Sequence, residues 1–372
     1  MNQKIEIKEL TSLRFLAAMH VVLFHNMNML GTDITKLPNW LLAIISYGYC
    51  GVTFFFVLSG FILAYVYSDS MMKSETSSAQ FYYARFSRIY PIYFLALIVD
   101  LPRGMAYFIE NHSPLKMAAS SVAYLVMLQS WHPRLATIWN SPAWSLSTEA
   151  FFYLIFPFVL PHIMKTRKNI IWIILFYMVP LIIYYLITSI FRFNLEAGIH
   201  EVFWRSFPLI RMFEFLIGIY LGKLFLHDHK VVQAIRKNTY LSGIIFWVLA
   251  GGSLMLITQE SFIPQSLFPN LILLPVFSLM ILILISVKVP LAFMLRNKAM
   301  LILGSSSYAL YILHVPMKPY IERINDLIPL SFTGSPLFIY LILMVVISLV
   351  VYYYIEIPAQ KILRQKIFSP RK

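Results

Sequence analysis

The chain has 372 residues, of which 59% are hydrophobic, 16% aromatic and only 12% charged, with a net charge of +14 and a mean hydropathy of +0.73. Soluble domains carry about 25% charged residues, so this composition cannot clothe the two or three soluble domains its length would otherwise suggest. A disordered chain, a coiled coil and a disulfide scaffold are excluded by the same figures, and the single Cys50 excludes an intrachain disulfide or a thiolate metal cluster of its own.

What remains is a polytopic membrane protein. A hydrocarbon core ~30 Å thick needs roughly 20 apolar residues per helix. Runs of that kind are centred on 11–30, 48–68, 86–101, 143–162, 169–190, 204–222, 239–258, 268–287, 299–317 and 336–356. They are continuous, unlike the alternating ten-residue segments of a membrane β-barrel. The first run carries Arg14, His20 and His25 and is too long and polar for a cleaved signal peptide. Met117–Ser130 is shorter and more polar, with Ser120, Ser121 and Gln129 inside it. No domain-sized hydrophilic segment separates the runs, and no internal repeat is visible.

Lysine and arginine placement decides whether Met117–Ser130 crosses. With a cytoplasmic N-terminus and no crossing there, 20 basic residues fall on inner segments and eight on outer ones, while Arg14 and Arg211 lie within helices. A crossing would move every later basic loop outside and erase that bias. The expectation is an all-α membrane helix bundle with about ten transmembrane helices and both termini cytoplasmic. A short outer-surface or re-entrant helix near 117–130 completes it.

In chain order, the first constellation is Arg14 and His25, eleven residues apart. At ~100° per residue that spacing is three turns plus about 20°, so both lie on one helix face, ~16 Å apart along the axis. A cation at the cytoplasmic boundary and an imidazole in the outer half suit a ligand whose anionic end stays inside while its reactive end reaches outward. The alternative is a snorkelling Arg14 and a His25 bonded to a neighbouring helix. His20 falls on another face. The run Gly51-Val-Thr-Phe-Phe-Phe-Val-Leu-Ser59-Gly60-Phe permits close helix approach. Arg85 and Arg88, in Arg85-Phe-Ser-Arg88-Ile-Tyr-Pro91, are either topology anchors or part of a phosphate site.

Next comes Asn140-Ser-Pro142-Ala-Trp144-Ser145-Leu-Ser-Thr-Glu149, with Ser145, Glu149 and Tyr153 on one face. A carboxylate about one and a half turns into the bilayer demands a partner. Counted from the outer end, Glu149 and His25 lie at similar depth, so Glu149 is expected to orient the imidazole as a general base requires. Pairing of Glu149 with Tyr or Ser for structure alone is the alternative. Arg211 and Glu214 read as an intrahelical ion pair. In Gly304-Ser-Ser-Ser307-Tyr308-Ala-Leu-Tyr311-Ile-Leu-His314-Val-Pro316, His314 either faces an acceptor or sits at headgroup level without a role. Glu356-Ile-Pro358 reads as the stop of the last helix. No Walker lysine loop, zinc-spaced ligand set or dinucleotide fingerprint is present. The basic excess on inner loops makes nucleic-acid binding a poor explanation for the charge.

Taken in this order, these pieces resemble the acyltransferase-3 family of membrane O-acyltransferases. The resemblance runs from Leu13 to Pro358. It rests on Ser-Leu-Arg14-Phe with the Arg14-x10-His25 spacing, Phe-Phe-Val-Leu-Ser-Gly-Phe ending at Phe61, Arg85/Arg88-Ile-Tyr-Pro, Trp144-Ser-Leu-Ser-Thr-Glu149, and Tyr308 through His314. It implies transfer of an acyl group, usually acetyl, from cytoplasmic acyl-coenzyme A to carbohydrates at the bacterial inner membrane. O-antigen and exopolysaccharides, free or lipid-linked, are the implied acceptors. On this reading Arg14, Arg85 and Arg88 hold the coenzyme A phosphates, and the pantetheine arm threads between helices. His25 is the base and Glu149 orients it, with Ser59, Ser145, Tyr308 and His314 in acceptor or supporting places and no metal involved. Some relatives carry a fused SGNH hydrolase-like domain. Here one membrane-embedded acyltransferase domain over 1–372 is expected, working alone, as a homo-oligomer or with a partner protein. The competing reading is a glycan or lipid transporter or flippase, which intramembrane charges and Gly- and Pro-bearing helices also fit.

Overall fold

A computed structural model describes residues 7–29, 37–111, 114–166, 197–258, 272–290, 292–327 and 336–368, with isolated positions between 171 and 186. All regular structure among the described residues is helical. In chain order the helices are α1 (Lys8–His25), α2 (Asn39–Ser46), α3 (Gly51–Met72), α4 (Ser78–Val99), α5 (Leu101–Asn111), α6 (Pro114–Leu125) and α7 (Trp144–Lys165). After them come α8 (Ala197–Ser206), α9 (Pro208–Leu226), α10 (Lys230–Lys237), α11 (Thr239–Thr258), α12 (Leu274–Ser286), α13 (Lys298–Leu327), α14 (Pro336–Val351) and α15 (Ile357–Phe368). The run expected at 169–190 falls largely outside the described residues.

Among the described residues, five helical stretches are long and apolar enough to cross a membrane: 39–72, 141–165, 239–256, 298–324 and 336–365. A sixth follows if α4 and the start of α5, bent by 59°, make one span. The bend has a local cause. Pro102 cannot continue the α4 ladder, and Asp100 at the break is clamped by the Arg103 guanidinium at 2.9 and 2.6 Å. α1 and α9 have 18 and 19 residues but interrupt their apolar runs with Lys8, Glu9 and Arg14, and with Arg211, Glu214 and Lys223. The stretch near 117–130 contains the 12-residue α6 followed by a 3-10 turn at Gln129–Trp131. At roughly 18 Å, α6 is too short to cross the bilayer. Large apolar side chains remain exposed on outward faces, among them Val248, Met255, Phe338 and Val346, as lipid contact requires. The chain is a multi-pass membrane protein.

Packing centres on α1, α3, α9 and α13. α3 and α9 cross so closely that a Cβ on Gly60 would meet the Phe215 carbonyl oxygen at 2.1 Å, and one on Gly218 the Val57 oxygen at the same distance. Glycine is required at both positions because backbone stands where a side chain would go. Beside this crossing the Arg211–Glu214 pair forms at 3.0 Å, with Thr53 of α3 bonded to both partners. His20 is taken up by the Ile44 carbonyl at 2.6 Å.

The last helix does not stop at Glu356. Tyr352–Glu356 form a π-turn and α15 continues directly from it. Pro358 stands at the second residue of α15, where a missing N–H is tolerated, so it redirects the chain without ending it.

Candidate active site

Cavity and imidazole pair are both built on α1, which is unbroken from Lys8 to His25, so the shared face of Arg14 and His25 is real. α1 packs along α13 and beside α3. α4 starts with a capping box between Ser77 and Gln80, which sets Arg85 and Arg88 in its second and third turns. Between these helices and α7 lies a cavity of about 130 Å³. Arg14, Arg85, Arg88, Glu149, Ser59, Ser145 and Tyr308 all line it. Its apolar wall comes mainly from α3, through Val52, Phe55, Phe56, Leu58 and Ile62.

The charges in this cavity are unevenly matched. Arg88 pairs with Glu356 at 2.9 Å, and Gln360 donates to the same carboxylate oxygen at 3.1 Å. Glu356, read from sequence only as part of a helix stop, is thus a buried partner for a cavity arginine. Arg85 donates to the Tyr67 hydroxyl at 2.8 Å and lies over the Tyr67 and Tyr153 rings. Arg14 has no hydrogen bond or ion pair among the described residues, and stands within electrostatic reach of Arg88, Glu149 and Glu356. Three guanidiniums therefore face two carboxylates around one apolar-walled space. An anion is favoured there.

Glu149 does not pair with His25. Its Oε1 accepts from Ser59 at 3.0 Å and from Tyr153 at 2.7 Å, which leaves Oε2 to the cavity. The expected pairing fails because the carboxylate is taken up by Ser59 of α3 and by Tyr153 one turn further along α7. Asn140, Pro142, Ala143 and Trp144, which lead into α7, are all buried. Its electrostatic neighbour is Arg14, not the imidazole.

His25 and His314 lie outside the cavity lining and face each other, ring centroids 5.0 Å apart. His25 is half-buried and His314 fully buried. Each turns Nδ1 to a carbonyl of its own helix, His25 to Val21 at 3.0 Å and His314 to Tyr311 at 2.6 Å. Tyr311 links the two places. It lines the cavity, its hydroxyl meets Ser145 at 2.7 Å, and its ring is 6.1 Å from that of His314. Sequence reasoning gave Tyr311 and Ser307 no role; their i, i+3 and i, i+7 spacing to His314 was the available signal. Around His314 the backbone is held from two sides. Tyr340 donates to the His314 carbonyl. Asn140 donates at 3.0 Å to the Ile312 carbonyl, the one that Pro316 leaves without its helical partner.

A family profile described as an acyltransferase domain matches residues 7–355. The chain belongs to the acyltransferase-3 family. It is 30% identical over 229 residues to a protein named acyltransferase MdmB from Streptomyces mycarofaciens, covering 59% of this chain and 57% of that one. Similarity extends to "Protein 2 in picA locus" of Rhizobium radiobacter, at 30% over 156 residues, 38% of this chain and 75% of the relative. An uncharacterized protein of Haemophilus influenzae is 26% identical over 223 residues, 56% of this chain and 89% of the other. The chain thus spans somewhat more than half the length of the Streptomyces acyltransferase. No solved structure matches it. Among the described residues no group of three or more His, Cys, Asp or Glu is placed to hold a metal.

Proposed function

We propose that this acyltransferase-3 member moves an acyl group, acetyl in the simplest case, from cytoplasmic acyl-coenzyme A to a hydroxyl of a cell-surface carbohydrate. The acceptor class is O-antigen, exopolysaccharide or a similar glycan, free or lipid-linked. The setting is the bacterial inner membrane, with ten spans and both termini cytoplasmic. The observation that carries this reading is the cavity, where arginines outnumber carboxylates at the end of a helix face that continues ~16 Å to His25. Coenzyme A is polyanionic and cannot cross a bilayer, but its pantetheine arm is long and thin. Arg14, Arg85 and Arg88 bind the phosphates, and the apolar wall of α3 lies along the arm. Glu149, through Oε2, accepts an amide N–H of the arm in place of the role expected from sequence. The thioester then passes Tyr311 to reach His25.

His25 has the proton placement of a base. A carbonyl oxygen only accepts, so Nδ1 carries the hydrogen and the neutral ring keeps a bare Nε2. Nε2 takes the proton of the acceptor hydroxyl while that oxygen attacks the thioester carbon. Holding donor and acceptor at one point supplies the positional part of the rate.

The test is thiol release from acetyl-CoA by purified protein, run with and without the alkali-deacylated surface polysaccharide of the host. Acceptor-dependent thiol release with new ester on the glycan is expected. Glycan translocation without thiol release or bound coenzyme A would replace this reading with a flippase.

A further inference from the structure

The acyl-transfer reading leaves His314 unused. Its ring is completely buried, and its Nε2 has no hydrogen-bond partner among the described residues. A buried acceptor nitrogen without a partner carries a desolvation cost, and a fold retains one where something else will meet it. The same Nδ1-to-carbonyl bond that fixes His25 fixes His314, so both neutral rings keep their lone pairs on Nε2. The two rings are 5.0 Å apart between centroids and tilted by 50°. With the rings this close, a single proton can turn a pair of acceptors into a donor and an acceptor. The carboxylate that a base histidine ordinarily has behind it is elsewhere, since Glu149 is held by Ser59 and Tyr153. Asn140 and Tyr340 pin the α13 backbone at Ile312 and at His314 itself, so its ring is placed and not merely accommodated.

We propose that His314 is the positioning residue for His25, the two Nε2 atoms together taking the acceptor proton. The inference rests on His25 being the base. The acceptor O–H bond breaks and its proton goes to Nε2 of His25, where Nε2 of His314 accepts a hydrogen bond from it. The freed oxygen forms the C–O bond to the thioester carbon, and the C–S bond breaks with its electron pair on sulfur. The shared proton then moves to the departing thiolate, and both rings end neutral.

The experiment compares His314→Ala, His314→Gln and His25→Ala with the unsubstituted protein, using acetyl-CoA and the deacylated host polysaccharide. For His314→Ala, kcat falls roughly 10-fold to 100-fold while acetyl-CoA binding changes less than twofold. Gln, whose amide oxygen also accepts, restores part of the loss. Added imidazoles restore His314→Ala in proportion to their basicity, which a merely refilled void would not produce. Unchanged kcat in His314→Ala overturns the proposal, as does a loss that neither Gln nor any imidazole relieves. Wild-type activity in His25→Ala overturns the base assignment beneath it. Absence of acyl transfer by the unsubstituted protein overturns the functional reading instead, so the failures are distinguishable.

Discussion

In the cavity, ionisable side chains from α1, α4 and α7 converge on one space, and among the described residues the carboxylates near its three guanidiniums are Glu149 and Glu356. Eleven residues further along the same α1 face from Arg14, His25 meets His314, and among the described residues no carboxylate is bonded to either ring. The first region handles burial by charge, left one anion short. The second relies on backbone carbonyls, which fix where each proton sits without adding charge. The difference teaches that two steps of one reaction can be separated along one helix. Under the proposed function Arg14 belongs to binding and His25 to chemistry, and substitutions should divide the same way.

The largest test of that division is His25→Ala. Loss of a general base costs ~10²- to 10⁴-fold in rate, so acyl transfer should fall below about one hundredth of its starting value. Calorimetry with acetyl-CoA should show binding unchanged. A comparable loss of binding would erase the distinction between the two regions.

Arg14→Ala should do the reverse. Removing the arginine that has no ion pair among the described residues is expected to weaken acetyl-CoA about tenfold, or ~1.4 kcal/mol, with kcat at saturating donor nearly preserved. Arg14→Lys should recover only part of the affinity, because an ammonium cannot bind phosphate bidentately. Equal effects on KM and kcat would show that the cavity also acts in the chemical step.

How much of this could be read from residues alone follows from the range of each signal. The Arg14–His25 face depended only on helix periodicity within α1, and the close contacts at Gly60 on small-residue packing; both were legible. The partners of Glu149 were not. The chain before α7 is folded into the protein, with Gln129 and Asn140 buried, and no local pattern reports that Ser59 of α3 meets the carboxylate. Glu356 looked like a terminus because Pro358 follows it. The π-turn that carries the chain on into α15, and the Arg88 that it meets, are tertiary facts. His25 and His314 were each noticed, but nothing in either segment says that α1 and α13 lie side by side.

A smaller effect separates scaffold from both regions. Gly218→Ala would place a Cβ 2.1 Å from the Val57 oxygen and 2.8 Å from the Phe61 nitrogen. Both contacts are α3 backbone, with no side chain to move aside, so α3 and α9 must part, at about 1–3 kcal/mol. Thermal unfolding in detergent should register the loss, and because α3 carries the cavity wall, donor affinity should weaken before kcat does.

The smallest expected change is the most selective. Asn140 is not among the residues that line the cavity, and its Nδ2 satisfies the Ile312 carbonyl two residues before His314. Asn140→Ala leaves that buried oxygen unpaired, a loss of ~1–3 kcal/mol if the backbone does not relax. Relaxation would shift α13 where it carries His314, so kcat should fall severalfold while acetyl-CoA binding holds. Asn140→Asp is the sharper comparison. It preserves shape but sets a carboxylate against a carbonyl with no hydrogen to share, so it should reduce activity and thermal stability more than alanine does. If Asp proves milder than Ala, the hydrogen bond is not what fixes the helix, and the placement of the imidazole pair must be credited to packing around Tyr340.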